Sequence, residues 1–173
     1  MIRMIERDDI DPVYRLHVDA FGEDEHDNVA QLAVDLLREG SAKPDNAFVA
    51  LKKNRIVGCV IFSCIDIQGS APVKAMILAP LAVSSKHQRA GIGTALVQHG
   101  LAILRSQGVD ILFVYGDPNY YSRFGFATGH QVAAPFPLKY PRGWLACELT
   151  ENALPSTSCM AKCVKALCRP EYW

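Results

Sequence analysis

Hydrophobic positions recur at helical spacing in two early stretches and one central stretch, and gather into short continuous runs elsewhere. Val13, Leu16, His17 and Ala20 share one helical face behind Asp11 as a capping residue and Pro12 at the first helical position, where a missing N–H costs nothing. After the acidic stretch GEDEHD, Val29, Leu32, Ala33, Leu36 and Leu37 repeat that spacing, and Gly40 marks the helix end. FVAL, the turn KKNR and IVGCVIFSCID read as two antiparallel strands; a polar QGSAP segment then leads into KAMILAPLAV. A central helix carries Leu96, Val97, Leu101 and Leu104 and stops at Gly108, after which ILFVY reads as a short buried strand. Strand, crossover helix and strand imply parallel neighbours. Asp117 and Pro118 signal a very short helix over NYYSRF, closed by Gly125. Behind the proline-rich APFPLKYPRGW stand two more strand candidates, LACEL and MAKCVKAL. The sum is an α+β fold whose sheet is antiparallel at first and holds a parallel pair in its middle.

A length of 173 residues fits one domain over the whole chain, with a core of its own. Lys+Arg and Asp+Glu are both 18, so no large basic field points to nucleic acid or to an anionic membrane as partner. The start, MIRMIERDDIDP, lacks the apolar core of a secretory signal, and no stretch approaches the ~20 apolar residues of a membrane span. A soluble, cytoplasmic protein is the expectation. The six cysteines form no Cys-x-x-Cys pair and have no histidine at zinc-finger spacing, so no metal is expected. In a reducing compartment they read as packed or incidental thiols.

Candidate chemistry enters at QRAGIG, residues 88–93, where two glycines stand between a strand and a helix. The stretch is not a dinucleotide fingerprint, since Leu96 occupies the third glycine position, and it lacks the Gly-Lys-Ser/Thr ending of a P-loop. It is either an ordinary turn or a cradle in which helix-start N–H groups and side-chain-free backbone receive a pyrophosphate. In the second case Gln88 and Arg89 supply polar and cationic groups at its rim. Taken alone, the turn leaves both readings open.

QRAGIGTAL resembles the Gln/Arg-x-x-Gly-x-Gly/Ala signature of the GNAT superfamily of acetyl-CoA-dependent N-acetyltransferases, and YYSRFGF, about thirty residues on, resembles that superfamily's aromatic-Tyr-x-x-x-Gly-Phe motif. More narrowly, LAPLAVSSKHQRAGIGTALV, GDPNYYSRFGF and CELTENALPSTS are similar to the YhbS-like group of predicted acetyltransferases. The resemblance implies a mixed, mostly antiparallel central sheet with a splayed parallel pair, flanked by helices. It also implies acetyl-CoA as co-substrate, with its pantetheine arm on backbone groups of Leu81, Ala82 and Val83. The pyrophosphate would lie on the turn formed by Gln88, Arg89, Ala90, Gly91, Ile92, Gly93 and Thr94. Pro80 within that strand marks either a sheet edge or a plain kink. Relatives often bind the cofactor through an asparagine near the end of the next strand; here that segment is FVYGDP, so Asn119, with Tyr120 beside it, or backbone groups take its place.

The implied reaction is direct attack of a primary amine, of a small molecule or a peptide, on the thioester. The resemblance places Tyr121 as general acid to the leaving thiolate and a Val83 or Ala82 amide at the oxyanion. For the base, residue type leaves Glu23, Glu25, Asp66, Asp117 or a chain of waters. Similar proteins hang the loop of Glu25 and Glu23 over the acceptor pocket, which puts these two first. Carboxylates there also suit a solvated helix entry, Asp117 suits a cap, and His87 and His99 suit the surface. Two alternatives stand beside the enzyme: a sensor that binds acyl-CoA without turnover, and a structural domain with a coincidental turn. For assembly, a terminal strand ending CRPEYW offers an edge through which a homodimer could pair.

Overall fold

Helix α1 spans Ile10–Ala20 and starts earlier than the sequence pattern predicts. The cause is an anchor just ahead of it. A 3-10 turn, Arg7–Asp9, is closed by the Glu6 N–H donating to the Asp9 carboxylate at 2.8 Å, and Arg3 donates to both Asp9 oxygens at 2.6 and 2.9 Å. The guanidinium holds the Asp9 carboxyl below the usual carboxylate range. Asp11 and Pro12 thereby fall inside the first turn of α1, and Asp11 is not its cap.

The computed structural model describes residues 1–23, 25–38 and 46–173. The Gly40 helix stop lies outside the described residues. Among the described residues, eight strands and four α-helices follow in the order β1 (Ile2–Met4), α1, α2 (His26–Arg38), β2 (Ala47–Lys52), β3 (Arg55–Gln68), β4 (Ala75–Val83), α3 (Ile92–Ser106), β5 (Ile111–Tyr115), α4 (Pro118–Tyr121), β6 (Val132–Ala133), β7 (Trp144–Glu148) and β8 (Cys159–Cys163). The strand order is β1-β2-β3-β4-β5-β7, with β8 on β3 and β6 on β8. Strands β1 and β2, β2 and β3, β3 and β8, and β5 and β7 pair antiparallel, whereas β4 with β5 and β6 with β8 are parallel. The α+β class and the parallel pair around the crossover helix match the sequence reading. Among the described residues no helix is long and apolar enough to cross a membrane.

The residues group into two compact units. The first comprises Met1–Ser63 and Ala79–Ile103. Its β2–β3 hairpin turns on Lys53 and Asn54 with φ of 47° and 57°, the left-handed pair that a two-residue hairpin demands. Helix α3 sinks onto β3 because two positions are bare. A Cβ on Gly58 would stand 2.9 Å from Ile92 and Leu96, and one on Gly100 would overlap the Phe62 ring. Phe62, Leu96 and Leu104 are fully buried.

The second unit comprises Cys64–Leu78 and Leu104–Trp173. Its parallel pair is clasped at the start: Asp110 accepts the Lys74 N–H at 2.9 Å, returns its own N–H to the Lys74 carbonyl at 2.8 Å, and Lys74 Nζ donates to Gln107 O. Two elements deviate from the sequence reading. Strand β8 stops at Cys163, and the KAL that should extend it is a 3-10 turn, Lys165–Leu167. The segment ending CRPEYW is likewise a 3-10 turn, Pro170–Tyr172, with Trp173 buried, and β8 is already paired with β3 and β6. It offers no free terminal strand for a homodimer.

His17 is wholly buried on α1, its ring bonded through Nδ1 to Val13 O at 2.8 Å, while Nε2 has no partner among the described residues. Burial lowers its pKa to about 4. The unfolded chain therefore binds this proton below about pH 6.5 while the folded chain does so only near pH 4. Stability falls as pH drops through that window, by about 3 kcal/mol in full. His17→Leu is expected to flatten this part of the decline in urea midpoint between pH 6.5 and 4; an unchanged slope would assign the acid sensitivity to other groups.

Candidate active site

The end of β4 and the turn after it form the first half of the candidate site. The ladder of β4 with β5 stops at Leu78↔Val114, while β4 runs on through Pro80, which has no N–H to donate, to Val83. Ser84 donates its N–H to Val57 O at 2.9 Å, toward β3. Strand alternation turns Leu81 and Val83 to the opposite edge and Ala82 toward β3. Of the two amides considered for an oxyanion, the Val83 N–H is thus the one turned away from β3.

A 3-10 turn, Ser85–His87, leads into the glycine stretch, and α3 begins at Ile92. Arg89 and Gly91 adopt left-handed conformations, φ 59° and 79°. For arginine this geometry costs about 1–2 kcal/mol. Among the described residues, none of the N–H groups from Gln88 through Thr94 donates to a protein acceptor. A Cβ on Gly91 would meet nothing within 4 Å, so the space beside it is open. Gly93 is buried within the first turn of α3. Seven free donors at the positive end of a 15-residue helix suit a multiply charged anion. Leu81, Ile92 and Thr94 are half-buried around it, and Arg89 and Ala90 are exposed.

The turn is braced from α1. Asp19 accepts the Ser85 N–H at 2.9 Å and the Ser85 hydroxyl at 2.8 Å. These bonds, with one from the Ser84 hydroxyl, hold its carboxyl below the usual range. A carboxylate in the last turn of a helix faces the negative dipole end, so the bonds to the loop offset an unfavourable placement. Gln88 Nε2 donates to Val83 O at 3.1 Å and approaches Ala20 O at 3.5 Å. Its amide nitrogen is thus a strut within the loop. Asp19, Ser84 and Ser85 were not singled out from sequence; an acid in a closing helical turn, followed far downstream by a Ser-Ser pair, is the only trace they leave.

The acidic loop follows α1. Glu23 and Glu25 are exposed, and Glu25 directly precedes α2, donating its N–H to Gly22 O. Neither makes an ion pair among the described residues. His87 is half-buried with Nδ1 unpartnered, and His99 packs edge-on to Phe48 with centroids 4.8 Å apart.

The remaining candidates belong to the second unit. Asp117 caps α4 by accepting the Asn119 N–H at 2.9 Å, with Pro118 at the first position, and Gly125 closes the following turn at φ 88°. Asp66 lies opposite Lys162 in the β3–β8 ladder. Tyr121 is buried in an aromatic cluster, 4.9 Å from Tyr120 and 5.6 Å from Phe126 between centroids. Burial, with the neighbouring Tyr120 second, pushes its phenol pKa far up, so it stays protonated at any physiological pH. Its hydroxyl has no protein hydrogen-bond partner among the described residues. Arg123 stacks over the Tyr120 ring, 4.8 Å from its centroid. Asn119 is exposed.

The family model described as acetyltransferase (GNAT) domain matches residues 1–129. The chain is a GNAT acetyltransferase. YjhQ of Escherichia coli K12, named an uncharacterized N-acetyltransferase, is 30% identical over 158 residues, 88% of this chain and 86% of that protein. The uncharacterized N-acetyltransferase YhbS of the same strain is 37% identical over 87 residues, 49% of this chain and 52% of its own. A crystal structure of E. coli YhbS in complex with CoA superposes with a TM-score of 0.87 at 28% identity, covering 98% of this chain and 92% of that one. A GNAT acetyltransferase from Brucella melitensis with acetyl-CoA shares the fold at a TM-score of 0.75 and 20% identity, over 96% of each chain. As a GNAT member the chain is an acyltransferase.

One further residue locates Tyr121. A Cβ on Gly116 would overlap the Tyr121 ring, so the absence of a side chain there lets the phenol lie against the end of β5. Gly116→Ala is expected to cost about 1–3 kcal/mol by overpacking and to alter the near-ultraviolet aromatic signal with the far-ultraviolet spectrum unchanged. A stable variant with a native aromatic signal would show that the ring is not held there.

Proposed function

We propose that this GNAT acetyltransferase moves the acetyl group of acetyl-CoA to a primary amine of a small molecule or peptide. The observation that carries the reading is the run of seven free N–H donors from Gln88 through Thr94 at the start of α3. Open space beside Gly91 admits phosphate oxygens to those donors, and the CoA and acetyl-CoA complexes of the two similar structures support a diphosphate ligand.

The backbone of Leu81 and Val83, turned from β3, would pair with the pantetheine amides as an added strand does. The Val83 N–H would hold the oxygen that becomes negative when the amine nitrogen bonds to the thioester carbon. As the carbon–sulfur bond breaks, its electron pair goes to sulfur, and the Tyr121 hydroxyl hands over its proton. A phenol pushed upward is a weak donor, so the transfer must accompany bond cleavage, when sulfur is most basic. Solvent then restores the phenol. Glu25 and Glu23 stand exposed and unpaired, where they would attract an ammonium and, directly or through water, take its proton.

Incubation with acetyl-CoA and an amine library, read by mass spectrometry and by release of free CoA, tests this function. Tyr121→Phe is expected to lower kcat by about a hundredfold or more, with KM for acetyl-CoA near wild type, because a proton donor acts only in the transition state. Binding without CoA release from any amine, together with an indifferent Tyr121→Phe variant, would instead support the sensor. Asp19→Ala removes two bonds that shape the turn, at about 0.5–1.5 kcal/mol each, and is expected to raise KM for acetyl-CoA about tenfold at nearly constant kcat. An unchanged KM would detach the brace from the cradle.

A further inference from the structure

Of the six thiols, two stand apart from the packed or solitary rest. Cys163 ends β8, Val164 continues extended, and the 3-10 turn Lys165–Leu167 reverses the chain, with the Cys168 N–H donating to Lys165 O at 3.0 Å. The reversal returns Cys168 to Cys163. Their sulfurs lie 3.4 Å apart, and the Cys168 thiol also reaches Cys163 O at 3.4 Å. Cys168 is exposed, whereas Cys163 is buried.

We propose that Cys163 and Cys168 are a redox-active dithiol that closes to an intramolecular disulfide by exchange with a low-molecular-weight disulfide. A disulfide needs its sulfurs about 2.05 Å apart, and the turn already holds the two within a side-chain rotation of that separation. Exposure decides the order of events. The Cys168 thiolate attacks one sulfur of oxidised glutathione, whose sulfur–sulfur bond breaks and releases one glutathione thiolate. Cys163 then loses its proton to solvent and attacks the Cys168 sulfur of the mixed disulfide, expelling the second glutathione thiolate. Two protein thiols are oxidised, one glutathione disulfide is reduced to two thiols, and the two protons lost by the cysteines balance those the glutathiones regain. Burial, and then contact with Cys168, raises the Cys163 thiol above the ordinary range, which makes it the slower, resolving partner. The bond would fasten the root of the segment in which Trp173 donates to Leu167 O and stacks near Tyr115.

The test is native, reduced, full-length protein treated with oxidised glutathione, alkylated and digested with trypsin. Cleavage after Lys162 and Lys165 separates CVK from ALCRPEYW, so the disulfide appears as these two fragments joined, two hydrogens lighter than their sum. The expected result is this linked species without glutathione on Cys168, reversed by dithiothreitol. Cys163→Ser is expected to trap a stable glutathione adduct on Cys168, and Cys168→Ser to leave Cys163 unmodified. A lasting Cys168 adduct in the wild type, both thiols alkylated, or linkage of either to another cysteine would each overturn the proposal. So would a bond that forms only in denaturant.

Discussion

Main-chain amides that find no acceptor among the described residues are the constraint around which the first unit is arranged. Seven in succession, Gln88 through Thr94, could not be tolerated in a core, where each would carry the penalty of an unpaired donor. They persist because most of the turn is at the surface. Its shape rests on left-handed backbone at Arg89 and Gly91, on α3 seated against β3, and on the bonds from Ser85 to Asp19.

The tyrosine side obeys a different logic. Rings of Tyr120, Tyr121, Phe124 and Phe126 pack on one another so that the phenol has little freedom, and the bare Gly116 lets it settle. Desolvation that fixes the ring also strengthens its hold on the proton. Rigidity and acidity are thus in opposition. In the proposed mechanism a leaving sulfur would resolve the conflict only when its own basicity peaks, tying proton movement to bond breaking.

Much of this was legible in residue order. The crossover helix, the parallel pair and the capped tyrosine helix each had a strong local cue: buried periodicity at Leu96, Val97, Leu101 and Leu104, a continuous apolar ILFVY, and Asp117–Pro118 with Gly125. Strands β1 and β6 are too short, at three and two residues, to imprint a period, and they exist only by pairing with distant partners. The start of α1 departs from the cap and proline signal because the Arg3–Asp9 ion pair, six residues apart and with no period to mark it, anchors the preceding turn. KAL looked like strand because its residues are apolar; they are buried as a turn instead. Gln88, read at a ligand's rim, also reaches the Val83 carbonyl at the end of β4 and approaches the Ala20 carbonyl at the end of α1 through its side-chain amide. Residue type marked the turn at residues 88–94, but not which polar groups hold that turn in shape.

The bare positions at Gly58 and Gly100 bear on how this sequence can diverge. Helix α3 lies close enough to β3 that residue 100 and the Phe62 ring share one volume, as do residue 58 and the side chains of Ile92 and Leu96. A larger residue in either place is admissible only if its opposite number shrinks in the same lineage, or else the helix lifts and carries the first-turn amides with it. Descendants that keep the anion site should therefore trade bulk between these positions in compensating pairs, leaving the summed size nearly constant while the individual residues wander.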